Sequence, residues 1–188
     1  MPILNVAQIV IATRAEGPGL RMAIWLQGCP LRCPGCCNPE MLPMAGGTPH
    51  KVDELGVKLG IAAERGIEGI TLLGGEPFAQ AAAAAQLAEH AQQRGFSVMA
   101  FSGFTLAELH NRRDPNVKRL LEQTDLLVDG PFLNQHPDRK RRWIGSTNQQ
   151  IHFLTNRYKA EDPCWKEPNT VELRWIDGEL QVNGFPMG

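Results

Sequence analysis

Residues 22–40 read MAIWLQGCPLRCPGCCNPE. The stretch opens on MAIWLQ (22–27), an apolar run whose β-branched and aromatic content predicts a strand. Three cysteines follow at once, spaced Cys29-x3-Cys33-x2-Cys36, with Cys37 directly behind them. Pro30, Pro34 and Gly35 stiffen or free the loop so that its backbone can wrap a group held by the thiols. Thiolates suit zinc and iron–sulfur clusters. A structural zinc site needs four closed ligands, and Cys37 is the available fourth, although adjacent cysteines rarely both face one ion. Three thiolates on a cubane cluster leave one iron open, which chemistry requires and a structural site avoids.

The same arrangement recurs downstream. EGITLL (68–73) leads into Gly74-Gly75-Glu76-Pro77, FSVMAF (96–101) into Ser102-Gly103-Phe104, and DLLV (125–128) into Asp129-Gly130-Pro131-Phe132. Further strands are expected at 3–12 and 151–155. Helical patterns lie between most of them. Over 52–65, Val52, Leu55, Leu59 and Ala63 share a face, Asp53 and Glu54 sit early, and Gly66 follows. The alanine-rich run 79–95 reads as one helix closed by Gly95 at the C′ position. Thr105 and Glu108 form a capping box, with Phe104 and Leu109 as its hydrophobic staple. Asp114-Pro115 opens another short helix.

Strand–helix alternation predicts an α/β fold, with a parallel sheet and helices packed outside it. Right-handed crossovers coil such a sheet into an open or partial β/α barrel. VELRWI (171–176) and ELQVNG (179–184) flank Asp177-Gly178, a two-residue turn signal. They predict a C-terminal antiparallel hairpin over about 170–184, at an edge or as a lid. The strand C-termini form the active face of parallel α/β architectures. The cysteine loop, GGEP, SGF and DGPF are therefore expected at one mouth.

Composition narrows the function. The chain has 188 residues, enough for about one domain. Nineteen basic and twenty acidic residues leave a net charge of -1, which argues against nucleic-acid binding by bulk positive charge. No run approaches the ~18 apolar residues of a membrane span. LNVAQIVIA (4–12) is interrupted by Asn5 and Gln8 and has no basic segment before it, so no signal peptide is read. The cytoplasm, where thiols stay reduced, is the expected compartment. Five cysteines, four of them within nine positions, make a poor disulfide framework and a good metal site. The fifth is Cys164; it or Cys37, singly, also reads as a buried, unligated thiol.

Cys29-x3-Cys33-x2-Cys36 resembles the signature of the radical S-adenosylmethionine (SAM) superfamily. Gly74-Gly75-Glu76-Pro77 matches that family's second motif at a fitting distance. The fuller string GCPLRCPGCCNPE, with SGF, LVDGPF (127–132) and GSTNQ (145–149), is similar to the small activating enzymes of glycyl-radical enzymes, such as that of anaerobic ribonucleotide reductase. The resemblance spans most of residues 5–155, the core of one expected domain over 1–188. It implies that Cys29, Cys33 and Cys36 hold a [4Fe-4S] cluster whose fourth iron is chelated by SAM. Reduction would cleave SAM to methionine and a 5′-deoxyadenosyl radical, which abstracts hydrogen from a substrate. Gly74, Gly75 and Glu76 would bind the methionyl amino group.

Gly35 agrees with the activating-enzyme subgroup, while Cys37 stands where an aromatic or His is usual; their backbones would contact adenine. Ser102 and Asp129, at strand ends, are weaker candidates for SAM or its ribose, with Asn148 of similar standing. Arg139–Arg142 reads as a solvated loop, with a contact for the SAM carboxylate or for an acidic partner surface as the alternative, and the five histidines read as structural. Trp143 and Trp165 read equally as core or interface.

Three functions follow. A glycyl-radical-enzyme activator would take a protein partner and a low-potential electron donor, with no nucleic acid and no membrane. A stand-alone radical SAM enzyme would modify a peptide or small metabolite beneath the hairpin. A non-catalytic zinc or electron-transfer module accounts for the cysteines but not for GGEP.

Overall fold

The structure, a computed structural model, describes residues 2–176 and 178–184. β1 (Ile3–Thr13), β2 (Arg21–Leu26), β3 (Thr48–Lys51), β4 (Gly69–Gly74), β5 (Ser97–Phe101), β6 (Leu126–Asp129) and β7 (Gln150–Phe153) form one sheet, ordered β3-β1-β2-β4-β5-β6-β7. β2, β4, β5 and β6 run parallel, with Arg21 opposite Gly69 and Leu26 opposite Gly74. The flanks are antiparallel: β1 against β2 and β3, and β7 against β6.

The sheet is therefore mixed, where alternation alone predicts a parallel one. A parallel pair needs a crossover of a dozen or more residues, usually helical. Only residues 14–20 join β1 to β2, and 130–149 reach β7 without a helix. β3 is unannounced by the sequence pattern. Thr48-Pro49-His50-Lys51 is polar and carries a proline, which an edge strand tolerates.

Helices cover one face of the sheet. They are α1 (Val52–Glu64), α2 (Ala81–Gln92), α3 (Leu106–His110) and α4 (Pro115–Glu122). The parallel strands are buried on both faces, and their alternation divides the core. Met22, Ile24, Leu26, Ile70, Leu72, Val98 and Ala100 pack with Leu55, Leu59, Leu87 and Leu120 of the helices. Ala23, Trp25, Leu73, Met99 and Phe101 point the other way, into two smaller clusters. Trp143, wholly buried there, meets Trp165 edge to face at 5.4 Å, which places Trp143 in the core and the partly buried Trp165 packed against it.

Local signals are met closely. The Thr105 side chain accepts from Glu108 N, and the Glu108 carboxylate accepts from Thr105 N at 2.7 Å, a reciprocal cap. Phe104 and Leu109 enter the same cluster. Asp114 Oδ1 accepts from Asn116 N at 2.8 Å. At the end of α2, Gly95 N donates to Gln92 O and Phe96 N to Ala91 O, the paired bonds of a Schellman motif, with Gly95 at φ +80°. The run expected as one helix from 79 begins instead as a 3-10 turn, Pro77–Gln80, before α2.

The N-terminal ends of the parallel strands are closed by Arg21. Its fully buried guanidinium donates to Thr71 Oγ1 (2.7 Å), Ser97 Oγ (2.8 Å), Pro18 O (3.0 Å) and Ile70 O (2.5 Å). Burial pulls its pKa below the usual arginine value.

β8 (Val171–Ile176) and β9 (Glu179–Gly184) pair as the expected hairpin, outside the large sheet. Gly178 of its turn is at φ +83°, while Asp177 lies outside the described residues. Among the described residues, no helix is long and apolar enough to cross a membrane.

Candidate active site

Because β2, β4, β5 and β6 are parallel, the loops after their C-termini share one edge of the sheet. A cavity of about 690 Å³ opens there, over the sheet face that the helices leave free. Trp25, Leu73 and Phe101 form its apolar wall, on the side of each strand that faces away from the helices.

Eight of the ten residues expected from sequence line this cavity: Cys29, Cys33, Cys36, Cys37, Gly74, Gly75, Glu76 and Ser102. Gly35 and Asp129 do not. Gly35 sits in the cysteine loop against Asn134, which does line the cavity. Asp129 is buried, and its Oδ2 accepts from Leu106 N at 2.5 Å, at the start of α3. His152 Nε2 lies 3.0 Å from the same oxygen, off hydrogen-bonding alignment. No histidine lines the cavity among the described residues.

The cysteine loop is held at its neck. Gly28 N donates to Met41 O (2.8 Å) and Cys29 N to Leu42 O (3.1 Å). Gln27 Nε2 donates to Pro43 O (2.8 Å) and Glu40 O (3.2 Å), drawing in the returning strand of the loop. Within the loop, Cys36 N donates to Cys33 O, and Asn38 N meets Cys36 Sγ at 3.4 Å. Burial raises the Cys29 pKa. Hydrogen bonding between the neighbouring Cys36 and Cys37 side chains pulls the Cys36 pKa down and pushes that of Cys37 up.

Glu76 organises the wall formed by the β4 and β5 loops. It is fully buried, and its carboxylate accepts from Phe78 N (3.0 Å), Ser102 Oγ (3.0 Å) and Gly103 N (2.9 Å). Burial raises its pKa to about 7, against the lowering effect of those bonds. The group thus ties the β4 loop to the β5 loop while facing the cavity. Gly75 makes the approach possible: a Cβ there would stand 2.3 Å from Gly28 O. Gly75 N also donates to Leu26 O, and Glu76 N to Gly28 O, locking GGEP against the neck of the cysteine loop.

Among the described residues, no three His, Cys, Asp or Glu side chains form a group for a single metal ion. Three thiols of one short loop, facing a cavity with space beside them, are a donor set that fits a cluster with one iron left open. The buried carboxylate that lines the same cavity fits a cationic amine.

Some lining residues carry no sequence signal. Glu16, before β2, is buried, with its pKa raised by burial. Its Oε1 accepts from Asn183 Nδ2 of the hairpin at 3.1 Å, a contact across 167 positions. Gln149 of GSTNQ holds Gly145 N, Ser146 N and Gly130 O around the far rim, whereas Asn148 turns outward to Pro131 O. The basic run is not a solvated loop throughout. Arg141 pairs with Asp138 at 2.7 Å, and Arg142 is buried against Trp143 and Glu167. Arg139 alone of the four lines the cavity. Cys164 is half-buried, away from the cavity, with burial raising its pKa.

A family described as a 4Fe-4S single cluster domain matches residues 15–152. An anaerobic ribonucleoside-triphosphate reductase-activating protein of Vibrio cholerae is 31% identical over 146 residues, covering 74% of this chain and 92% of the relative. A pyruvate formate-lyase-activating enzyme of Listeria monocytogenes is 28% identical over 185 residues, covering 87% of this chain and 67% of its own. Among solved structures, QueE from Escherichia coli superposes on 55% of this chain and 54% of its own, with a TM-score of 0.43 and 16% identity.

Proposed function

This chain belongs to the single-cluster 4Fe-4S family that includes the radical SAM activating enzymes, and from that premise we propose that it raises a glycyl radical on a partner protein, most directly an anaerobic ribonucleotide reductase. It is a radical SAM oxidoreductase of the activating type, using a [4Fe-4S] cluster and SAM. When bound, those groups supply reductive cleavage of SAM and removal of a hydrogen atom from the target's glycine.

The chain's own residues bind, orient and exclude water. Cys29, Cys33 and Cys36 hold the cluster, and Cys37 is a spectator thiol beside them. Glu76 accepts from the methionyl ammonium, with Gly74 and Gly75 letting the backbone approach. Ser102 fixes the Glu76 carboxylate through its hydroxyl, while Gly35 and Cys37 offer backbone to the adenine. Asp129 acts at one remove, by capping α3. Trp25, Leu73 and Phe101 keep water from the reacting centre. We read the four parallel strands, with helices on one face only, as the open half of a radical SAM barrel. The reading includes a low-potential electron donor and a cytoplasmic setting.

The observation that carries this reading is the convergence of three thiols and Gly74–Glu76 on one cavity. The test is anaerobic reconstitution with iron and sulfide, reduction with dithionite, and addition of SAM and the host's anaerobic reductase. A glycyl-radical EPR signal with 5′-deoxyadenosine is expected. Cleavage of SAM with no such signal on the reductase would overturn the assignment of target.

A further inference from the structure

The hairpin is fastened by the wrong face for an ordinary amphipathic element. In β8, Glu172 and Arg174 point one way, and Val171, Leu173 and Trp175 the other; β9 continues this split, with Val182 opposite Leu173 and Leu180 opposite Trp175. The polar side is the docked side. Glu172 Oε1 accepts from Arg14 N at 2.7 Å, Arg174 Nη2 donates to Ala12 O at 3.2 Å, and Asn183 Nδ2 donates to Thr13 Oγ1 at 3.0 Å. The apolar side is left out. Trp175 is 73% exposed, Leu173 67%, Leu180 56% and Val182 55%. A contiguous apolar face of this kind marks an interaction surface.

Its position says what covers it. Val171 and Val182 line the cavity that holds the three thiols, so the apolar face is an outward extension of the cavity wall. The cavity, about 690 Å³, is of the size that holds one small ligand. With cluster and SAM inside, a target must bring its reacting atom in from the rim. The hairpin also lies beyond residues 15–152, the part that matches the family.

We propose that the Leu173–Trp175–Leu180 face of the hairpin is the docking surface for an apolar polypeptide segment of the protein substrate, next to the glycine that enters the cavity. The inference rests on the function proposed above and names how that site takes its partner. Association through buried aromatic and aliphatic anchors predicts that a few side chains carry most of the affinity.

The test compares wild type with Leu173→Ser/Trp175→Ser, both reconstituted, against the host's anaerobic ribonucleotide reductase. Neither residue lines the cavity, so SAM cleavage by dithionite in the absence of the reductase is expected to stay within twofold. The reductase concentration needed for half-maximal glycyl-radical formation is expected to rise at least tenfold, with an equal loss of direct binding in sedimentation. Equal binding and equal half-saturation in both proteins would overturn the docking face and leave the proposed function intact. Wild type that cleaves SAM but raises no radical on the reductase would overturn the assignment of target, and this inference with it. A wild-type dimer turned monomeric by the double variant would assign the face to a second copy and overturn the proposal.

Discussion

The two ends of the same four parallel strands each bury a charged side chain, and they treat it differently. At the N-terminal end, Arg21 is surrounded by Thr71 Oγ1, Ser97 Oγ, Ile70 O and Pro18 O, and the site is closed. At the C-terminal end, Glu76 is equally buried and accepts from Phe78 N, Ser102 Oγ and Gly103 N, but it stands at the wall of a cavity. A buried charge whose bonds are all internal is a pin. A buried charge at the wall of a cavity is placed to become a binding group, in an environment where each further bond is strengthened by low dielectric. The sheet thus separates stability from chemistry along one axis.

The largest expected effect tests the open end. Cys36→Ala should reduce 5′-deoxyadenosine to background and lose the cluster absorbance, with an unchanged melting curve for the cluster-free protein. Cys37→Ala should retain product. Equal loss in both would mean that the two thiols act together and would blur the line between ligand and spectator. Next comes the closed end. Arg21→Met leaves several buried acceptors unpaired and should cost about 3–5 kcal/mol in urea unfolding. SAM cleavage per folded molecule should be spared, and a matching loss of turnover would show that the two ends are not separable.

The third effect is a pH dependence of the cluster-free protein. The folded value for Glu76, about 7, lies above the ordinary 4.5, so the folded state holds the proton more tightly than the unfolded chain. Stability should therefore fall as pH rises from about 4.5 to about 7 and level off above, by up to about 3 kcal/mol. Glu76→Gln should flatten most of that fall in melts at pH 5 and pH 8, leaving a remainder of the same sign from Glu16. An unchanged slope would remove Glu76 from the account. The smallest effect belongs to Gly75→Ala, where a Cβ would meet Gly28 O; overpacking of this kind costs about 1–3 kcal/mol. Its SAM cleavage should fall more than its stability, since the strain sits between GGEP and the cysteine loop.

What was legible in the sequence divides along similar lines. Strands β2, β4, β5 and β6 declare themselves by composition, and their caps by local chemistry: Thr105 with Glu108, Asp114 before Pro115, Gly95 after α2. The motifs after those strands fall where a parallel sheet puts them. What stayed hidden depends on partners far along the chain. Nothing near Arg21 in sequence says that Thr71 and Ser97 will meet it, 50 and 76 positions away. Glu16 finds Asn183 across 167 positions. Asp129 reads as a strand-end acid, and only the placement of α3 turns it from the cavity to Leu106 N. β3 is too short and polar to register, and the hairpin shows an alternating pattern without saying which face docks.

The clasp at the neck of the cysteine loop also sets how much chain must be ordered to gather the thiols. Gly28 and Cys29 bond to Met41 and Leu42, and Gln27 holds Glu40 and Pro43, all through groups that owe nothing to iron. The ends of the loop are thus joined by protein groups alone, and the entropy lost in gathering the three thiols is that of the few residues between the clasped ends.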